Sequence, residues 1–398
     1  MEVLFLRTGQ RRILLEEDGT NVRYVPTGHL VFARDDTLYA VPFDINELEV
    51  KGPALPVAEG IHVSIMGPAQ FTFSVNGTLA YVTALPRKRS LVWVDRRGVV
   101  QPVGAPSKAY QSVRISPEGT CFAVTIAPKD DDADIWILDK ARPTPHQLTF
   151  GGDNRAGIWT PDSKHVIFTH IPDWEWSRSL IVPMSILADG SGEAEPLAEA
   201  RQFSEKPGLH FWGCRCLSPD GKYLLGGTNN IWVLSMESKA DPWPFIIRDG
   251  CQRHPAFSPD GQWVAYDSEE TGQLEVYVQP FPGPGGIKRI STEGGFEPLW
   301  SRDGKELFYR SGDKMMKVDI EVVAGETGME LNAGTPQELF KRQFFRAYVE
   351  SVAGLSYDLD SDGRFIMIQE DEESTATDSH VVLNWFEELK RLVPTDKK

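Results

Sequence analysis

The chain lacks long apolar runs and has few cysteines. No segment approaches the ~18 apolar residues that a membrane-spanning helix needs, and the best stretch, Ser179–Ala188, is interrupted by Pro183. Four cysteines are too few for a disulfide scaffold and leave the redox compartment open. The apolar start, Met1–Leu6, precedes its arginines, which is the wrong order for a secretory signal. Taken as complete, the sequence predicts no membrane insertion and a cytoplasmic location.

Basic residues are also in deficit. Lys and Arg number 41 against 57 Asp and Glu, which gives a formal net charge of −16. A nucleic-acid-binding protein needs a basic face, so this balance argues against a nucleic-acid partner. The hydrophobic and charged fractions, 41% and 25%, are ordinary for a folded globular protein and argue against bulk disorder.

Turn residues, in contrast, are abundant and evenly spread, and one tetrapeptide recurs. Three near copies are Ser116–Gly119, Ser218–Gly221 and Ser258–Gly261, and looser copies are Ser74–Gly77, Thr160–Ser163, Ser301–Gly304, Asp360–Gly363 and a degenerate Val25–Gly28. From Ser74 onward the spacings are 42, 44, 58, 40, 43 and 59 residues. Pro presets φ for a type I turn, Asp or Asn suits the second central position, and Gly tolerates the positive φ that follows. The motif therefore predicts a tight turn between two antiparallel strands.

The segments around each turn predict four short strands per repeat. A repeat of ~40–45 residues that contains four short strands is typical of a β-propeller blade. We expect an all-β propeller of four-stranded antiparallel blades in a single domain over 1–398, with eight blades, or seven as the alternative. The expected blades are 21–60, 69–104, 110–150, 154–200, 211–248, 253–291, 295–341 and 355–386, the last completed by N-terminal strands within 3–16, with 387–398 as a tail. Such closure removes exposed sheet edges.

Two long spacings and one short pattern fall outside the regular blade. The spacings predict insertions at Ile171–Ser177 with Glu199–His210, and at Glu321–Thr335 with Lys341–Gly354. A helix-like periodicity is limited to Asn384–Leu392.

The Ser-Pro-Asp-Gly turns resemble the WD40-like repeat of TolB-type propellers, and this resemblance covers nearly the whole chain. Further segments are similar to the C-terminal sensor propeller of bacterial membrane serine/threonine kinases: Tyr24–Arg34, Leu38–Asp44, Val276–Gly286, Trp300–Tyr309 and Val381–Trp385. In that family a cytoplasmic kinase domain and one membrane helix precede a propeller on the extracytoplasmic side. The resemblance implies a non-catalytic sensor or scaffold in kinase-type signalling. A TolB-like periplasmic protein-interaction module is the alternative, and a hydrolase or lyase using the central funnel is a third.

Catalytic motifs known from related architectures are missing. The sequence has no Gly-rich phosphate loop, His-Arg-Asp or Asp-Phe-Gly of a kinase, and no Gly-x-Ser-x-Gly elbow of a prolyl-oligopeptidase-type hydrolase. We therefore expect no enzyme activity and no cofactor. Gly283–Gly286 lacks the Lys-Ser/Thr ending of a phosphate cradle and is interpreted as a turn.

The sequence contains candidate metal ligands, but a metal site is not the favoured interpretation. Cys214 and Cys216 share one face of a predicted strand, with Cys251, His254 and His210 as further candidate ligands, but the spacing is unlike paired Cys-x-x-Cys zinc sites. Small buried residues are the favoured interpretation, with a redox pair as the alternative. The acidic clusters Asp130–Asp134 and Asp371–Glu373 lack EF-hand spacing, so solvated loops are favoured over calcium sites.

The central funnel is the predicted binding site. Innermost propeller strands line a channel. Aligning the repeats brings His254 and Glu297 to one position of these strands and Gln111, Arg155 and Arg253 to the position just before it. Such a set suits a small polar ligand or a peptide carboxylate, whereas a channel holding only water is the plainer alternative. Trp174 and Trp176, in one insertion, form either a protein-partner patch or a cover on the blade beneath. The partner is thus an unidentified small polar ligand, peptide or protein.

Overall fold

The structure is a computed structural model of the 398-residue chain. It describes all residues except 5, 7, 16–18, 35, 63–68, 84–87, 130–131, 173–181, 199–212, 228, 239, 284, 326–327, 347–353, 372–378 and 396–398. The regular secondary structure of the described chain is almost entirely β-strand, and the chain falls into two compact units. Unit 1 comprises Met1–Pro86 with Glu372–Lys398, and unit 2 comprises Arg87–Asp371.

Unit 2 contains six antiparallel sheets. Sheet 1 has strands β12 (Tyr110–Ile115), β13 (Cys121–Lys129), β14 (Asp132–Asp139) and β15 (His146–Gln147). Sheet 2 has β16 (Asp153–Trp159), β17 (His165–Ile171), β18 (Val182–Leu187) and β19 (Glu195–Pro196). Sheet 3 has β20 (Cys214–Leu217), β21 (Tyr223–Gly226), β22 (Ile231–Ser235) and β23 (Trp243–Ile246).

The other three sheets continue the pattern, with one enlargement. Sheet 4 has β24 (Gln252–Phe257), β25 (Trp263–Ser268), β26 (Glu275–Pro280) and β27 (Lys288–Arg289). Sheet 5 has β28 (Phe296–Trp300), β29 (Glu306–Ser311), the long β30 (Lys314–Ala324), β31 (Met329–Ala333) and β32 (Gln337–Lys341). Sheet 6 has β33 (Tyr357–Leu359), β34 (Phe365–Glu370), β10 (Arg89–Val94) and β11 (Val100–Pro102). The four-stranded antiparallel blade predicted from the repeats is confirmed.

Neighbouring sheets of unit 2 meet along their innermost strands. β12 adjoins β16, β16 adjoins β20, β20 adjoins β24, and β24 adjoins β28. Sheet 6 contacts sheet 5 through the Tyr357 hydroxyl, which donates to the Glu297 carbonyl at 2.6 Å. It contacts sheet 1 through Asp358, whose carboxylate accepts the Ile115 N–H at 2.8 Å. The described sheets of unit 2 therefore follow one another in a circle of six, and a ring of eight or seven blades is not confirmed.

The strands that complete the last sheet differ from those predicted. Among the described residues within 3–16, β1 (Glu2–Leu4) and β2 (Arg11–Ile13) pair with each other and not with this sheet. Instead β10 pairs with β34, with Val92 opposite Met367. Strands from the N-terminal part of the chain thus complete a C-terminal sheet, as predicted. These strands are β10 and β11, from the second half of the predicted blade 69–104, and not the predicted strands within 3–16. An apolar strand such as Arg89–Val94, buried on both faces, satisfies that edge better than the exposed β2.

Unit 1 contains two further sheets and the helix. One sheet has β3 (Thr20–Val25), β4 (His29–Arg34), β5 (Thr37–Asp44), β6 (Glu49–Val50) and β7 (Leu55–Glu59), and the other has β8 (Phe71–Phe73), β9 (Leu79–Val82) and β35 (Ser379–Val382). Val381 faces Ala80 in that second sheet, so the predicted third strand of blade 355–386 pairs with blade 69–104. Helix α1 (Trp385–Leu392) follows and buries Trp385 and Leu389. The helical pattern is confirmed, and the predicted tail contains most of this helix.

The repeated tetrapeptide forms the turn between the first two strands of its sheet. In Ser218–Gly221 the serine hydroxyl donates to Asp220 at 2.6 Å and accepts the Tyr223 N–H at 2.9 Å, while Gly221 N–H bonds the Ser218 carbonyl at 2.8 Å. Gly221 has a φ of 75°, the left-handed region that glycine adopts without strain. The Ser218 hydroxyl therefore bonds residues on both sides of the turn, Asp220 within it and Tyr223 after it. Because Ser, Asp and Gly each meet one requirement of this turn, the three residue types recur together.

No described helix is long and apolar enough to cross a membrane. This finding concerns only the residues that the structure describes.

Candidate functional site

Two positions of each repeat place polar side chains near the innermost strands of unit 2. One lies four residues before the turn begins and holds Ser112, Ala156, Cys214, His254, Glu297 and Ser356. The other lies nine residues after it, on the second strand or just beyond, and holds Thr125, Thr169, Gly227, Asp267, Arg310 and Gln369. The charged members occur together in sheets 4 and 5.

The backbone is irregular at the first of these positions. Ala156, His254 and Glu297 have φ values of 56°, 46° and 54°, a left-handed conformation that non-glycine residues adopt at a cost. The pairing of the innermost with the second strand shifts register at these same points in sheets 2, 4 and 5. A β-bulge re-aims side chains, and here it brings His254 and Glu297 towards charged partners.

His254, Asp267 and Glu297 are joined across sheets 4 and 5. His254 Nδ1 lies 2.7 Å from Asp267 Oδ2, and the same oxygen accepts the Glu297 N–H at 2.9 Å. Asp267 is fully buried. Burial alone would raise the pKa of Asp267, but His254, the Glu297 N–H and Arg253 together outweigh it and lower that pKa. The carboxylate is therefore held ionised inside the protein.

The Glu297 side chain continues the chain of contacts into sheet 6. Its Oε2 accepts the Ser356 hydroxyl at 2.9 Å and lies 3.4 Å from Arg310 Nη1. Arg310 also donates to Ser356 Oγ and to the carbonyls of Phe345 and Phe344, at 2.8, 2.8 and 3.0 Å. We call the five side chains His254, Asp267, Glu297, Arg310 and Ser356 the inner network. It spans three consecutive sheets and fixes the segment that follows β32.

Positive charge exceeds negative charge around the inner network. Burial, and then the nearby Arg253, lower the pKa of Arg215 to about 10. Burial also lowers the pKa of Arg346, and Arg310 and Arg253 add to this effect against the opposing pull of Glu297 and Asp267. Shifts of this kind are typical of cations held together in a poorly hydrated space. Arg215, Arg253, Arg310 and Arg346 thus lie near three carboxylates, Asp267, Glu269 and Glu297, in a chain whose overall charge is strongly negative.

Two buried polar atoms beside the inner network have no hydrogen-bond partner among the described residues. They are Arg346 Nη2, a donor, and Asp267 Oδ1, an acceptor. The central carbon of the Arg346 guanidinium lies over the Phe296 ring, 3.6 Å from its centroid. Since nearly all buried polar groups in proteins are paired, this donor and this acceptor are candidate contacts for water or a ligand.

A second polar group joins sheets 1 and 2. Arg155, which is 1% exposed, bonds the Asp153 carboxylate through Nε at 2.8 Å and donates from Nη1 to Gln111 Oε1 at 2.9 Å. Gly354, just before β33, packs close to Ala156 and Ser112. Arg155, Asp153 and Gln111 are thus buried, hydrogen-bonded to one another, and hold sheets 1 and 2 together.

The structure divides the five predicted funnel residues into three sets. His254 and Glu297 belong to the inner network, whereas Gln111 and Arg155 pair with each other. Arg253 stands beside the first set and bonds Glu269 at 3.2 Å. Their role as ligand-binding residues stays a prediction. Trp174, Trp176 and His210 lie outside the described residues.

The sequence interpretation missed Asp267, Arg310 and Arg346. The first two occupy one position of the second strand, so aligning the repeats at nine residues after the turn would have found them. Arg346 lies in a predicted insertion, where no repeat position marks it.

By sequence, the cysteines and the acidic clusters are candidate metal ligands, but Asp130, Asp131, Glu372 and Glu373 lie outside the described residues. Cys214 is fully buried and its backbone N–H bonds Thr169 Oγ1 at 2.8 Å, while Cys216 Sγ accepts the Phe257 N–H at 3.5 Å. Burial raises the pKa of Cys214 to about 12, so this thiol stays protonated. In the described part of the chain no group of three or more His, Cys, Asp or Glu side chains is placed to hold a metal ion.

Comparison with known proteins shows the fold. No protein family model matches the chain. The uncharacterized protein Atu1656 of Agrobacterium fabrum is 32% identical over 120 residues, which are 28% of this chain and 40% of that protein. The chain therefore matches less than half the length of that relative.

Among solved structures, a TolB-type protein from Agrobacterium tumefaciens has a TM-score of 0.51 at 16% identity, covering 71% of this chain and 98% of that one. TolB from Acinetobacter baumannii has a TM-score of 0.40, and the periplasmic gluconolactonase of Pseudomonas aeruginosa 0.44, at 16% and 15% identity, with 90% and 74% of this chain covered and 81% and 96% of theirs. At identities of 15–16%, all three similarities concern the fold alone. This chain has a β-propeller fold similar to that of TolB-type proteins.

Proposed function

We propose that unit 2 is a non-catalytic binding module that takes the carboxylate of a peptide or protein partner beside the inner network. Arg346 Nη2, which has no hydrogen-bond partner among the described residues, supports this most directly, because an unused guanidinium N–H is suited to a carboxylate oxygen. The surplus of arginines supplies the charge, and Asp267 Oδ1 can accept an N–H from the same ligand. A peptide carboxy terminus presents both groups within one residue.

The fold is compatible with this function. Propellers of the TolB type share the architecture, and a preformed, rigid polar network lowers the ordering cost of binding. The sensor role in kinase-type signalling rests on the sequence resemblance alone, as does the alternative of a periplasmic interaction module. Both roles need the same binding step, so that step is what the experiment addresses first.

The experiment measures binding of acetyl-trialanine by isothermal titration calorimetry. Arg346→Gln should weaken binding about tenfold or more, the loss of one partly buried charge-assisted hydrogen bond. Arg97→Gln is the matched control, since Arg97 is 86% exposed in its side chain and should leave the affinity unchanged. Equal affinities of the two variants would contradict the proposal. In the same preparation, phosphate transfer from ATP to a generic protein substrate should stay at the level of buffer alone.

A further inference from the structure

A cavity of about 410 Å³ lies between sheets 4 and 5 and shares no residue with the inner network. The turns Ser258–Gly261 and Ser301–Gly304 form one side of it. Its apolar lining consists of Trp263, Trp300, Ile320 and Val322. This volume is within the range of sites that hold small organic molecules. We call this space the hairpin cavity.

An extension of the third strand of sheet 5 builds its outer wall. β30 has 11 residues, whereas the third strands β14, β18, β22 and β26 have 8, 6, 5 and 6. Its outer half pairs with β31, with Val322 opposite Leu331, and brings Ile320 and Val322 against the tryptophans. The described part of the predicted insertion Glu321–Thr335 is therefore a hairpin whose first strand forms one wall of the cavity, and the third strands described in the other sheets of unit 2 are shorter.

The two tryptophans differ in how their indole N–H groups are used. Trp300 Nε1 donates to the Ala256 carbonyl at 3.0 Å. Trp263 Nε1 is buried and has no hydrogen-bond partner among the described residues. A cavity-lining indole supplies an aromatic face to a ligand.

The charged groups at the cavity are mostly acidic. Asp260 and Asp303 stand against one lysine, Lys305. The Ser301 hydroxyl and the Lys305 N–H lower the pKa of Asp303, so this carboxylate is ionised at neutral pH. An apolar, indole-lined space with a net negative rim is complementary to a cation with an apolar body, since an ammonium group gains both from carboxylates and from aromatic faces.

We propose that the hairpin cavity binds a small organic ammonium compound, with its apolar body against Trp263 and Trp300 and its ammonium group towards Asp303. The site is separate from the carboxylate site proposed above, and its ligand has the opposite charge. The two proposals can therefore fail independently.

The experiment uses phenethylammonium as the probe, with the full chain. Binding is followed by calorimetry and by the indole N–H resonances in ¹H–¹⁵N spectra, in which Trp263→Phe assigns one signal. We expect phenethylammonium to shift that signal, and neutral 2-phenylethanol to bind at least several-fold more weakly. Asp303→Asn should weaken binding by about three- to fivefold, as expected for one partly exposed ion pair. Val322→Phe places a larger side chain from the hairpin in the cavity and should abolish binding of phenethylammonium.

Asp220→Asn is the matched control. Asp220 accepts the same two hydrogen bonds in its turn as Asp303, from a serine hydroxyl and from a backbone N–H, but it lies in sheet 3. It should leave the affinity unchanged, and melting curves should show both Asn variants folded alike. The proposal is overturned if phenethylammonium does not bind at about 1 mM, if 2-phenylethanol binds equally well, or if Asp303→Asn binds like Asp220→Asn. Tighter binding of an acetylated, amidated lysine tripeptide would overturn the small-molecule assignment.

Discussion

His254 Nδ1 and Asp267 Oδ2 lie 2.7 Å apart at a point where the innermost strand of sheet 4 leaves regular β geometry. His254 reaches this position with a φ of 46°, and Asp267 is fully buried. Strained backbone persists where surrounding contacts determine it, and it is frequent at binding sites. The contact ties the irregular backbone to the charges of the inner network, and the first prediction addresses its carboxylate.

Asp267→Asn should destabilise the protein in a pH-dependent way. The folded state lowers the pKa of Asp267, so its contribution to the free energy of unfolding is complete above the ordinary aspartate pKa, ~3.9, and is lost as the pH falls through the lower folded value. We expect wild type to exceed the variant by about 1–3 kcal/mol at neutral pH. This difference should shrink below about pH 4. Urea denaturation at several pH values measures it, and a difference that grows on acidification would contradict the prediction.

Arg310→Met should destabilise strongly because it leaves Glu297 buried without its cation. Loss of one partner of a buried pair costs about 3–5 kcal/mol. Glu297→Gln in the same chain should recover part of that loss, which a double-mutant cycle measures. Arg248→Met is the control, since the Arg248 side chain in the Arg248–Glu270 pair is 41% exposed and the pair should contribute no more than ~1 kcal/mol. Additive effects at 297 and 310 would show that the two side chains are not coupled.

Gly261→Ala should cost about 1 kcal/mol through backbone strain alone. Gly261 has a φ of 71°, while a Cβ there would meet Pro219 only at 3.7 Å, an ordinary contact. Gly286→Ala provides the comparison, because a Cβ at Gly286 meets nothing within 4 Å and its φ is not in the left-handed region. Thermal melting should show a lower midpoint for the first variant only. Matching midpoints would mean that the turn does not require glycine.

A cysteine pair at Val92 and Met367 should form a disulfide. These residues face each other in β10 and β34, the strands that complete sheet 6, and directly opposed Cβ atoms of antiparallel strands are close enough for an S–S bond. Peptide mapping after oxidation detects the bond without removing the native cysteines. Val3→Cys with Met367→Cys tests the closure that the sequence predicted. A bond in that second pair, and none in the first, would contradict the strand order of sheet 6.

The turns and the four-stranded sheets were predictable because their chemistry is local. Ser, Pro, Asp and Gly each satisfy one requirement of the same turn, so the motif alone indicates where two strands join. The exchange between repeats was not predictable in this way. β9 pairs with β35 and β10 with β34, although β9 and β10 are neighbours in sequence. All four are short strands of similar character, and the choice of partner depends on long-range packing.

The site was predictable only in part, for a related reason. Innermost-strand residues such as His254 and Glu297 follow from the repeat, because their position repeats. Their partners Asp267 and Arg310 come from the second strand, and only the register of a β-bulge brings them into contact. The net positive character around Arg346 runs against the acidic composition of the chain, which cannot reveal local charge.

A crystal structure of the chain soaked with acetyl-trialanine tests the central claim most directly. The account predicts the peptide carboxylate within hydrogen-bond distance of Arg346 Nη2, with a peptide N–H directed at Asp267 Oδ1. Peptide density elsewhere, with Arg346 and Asp267 bonded only to water or protein, would contradict it.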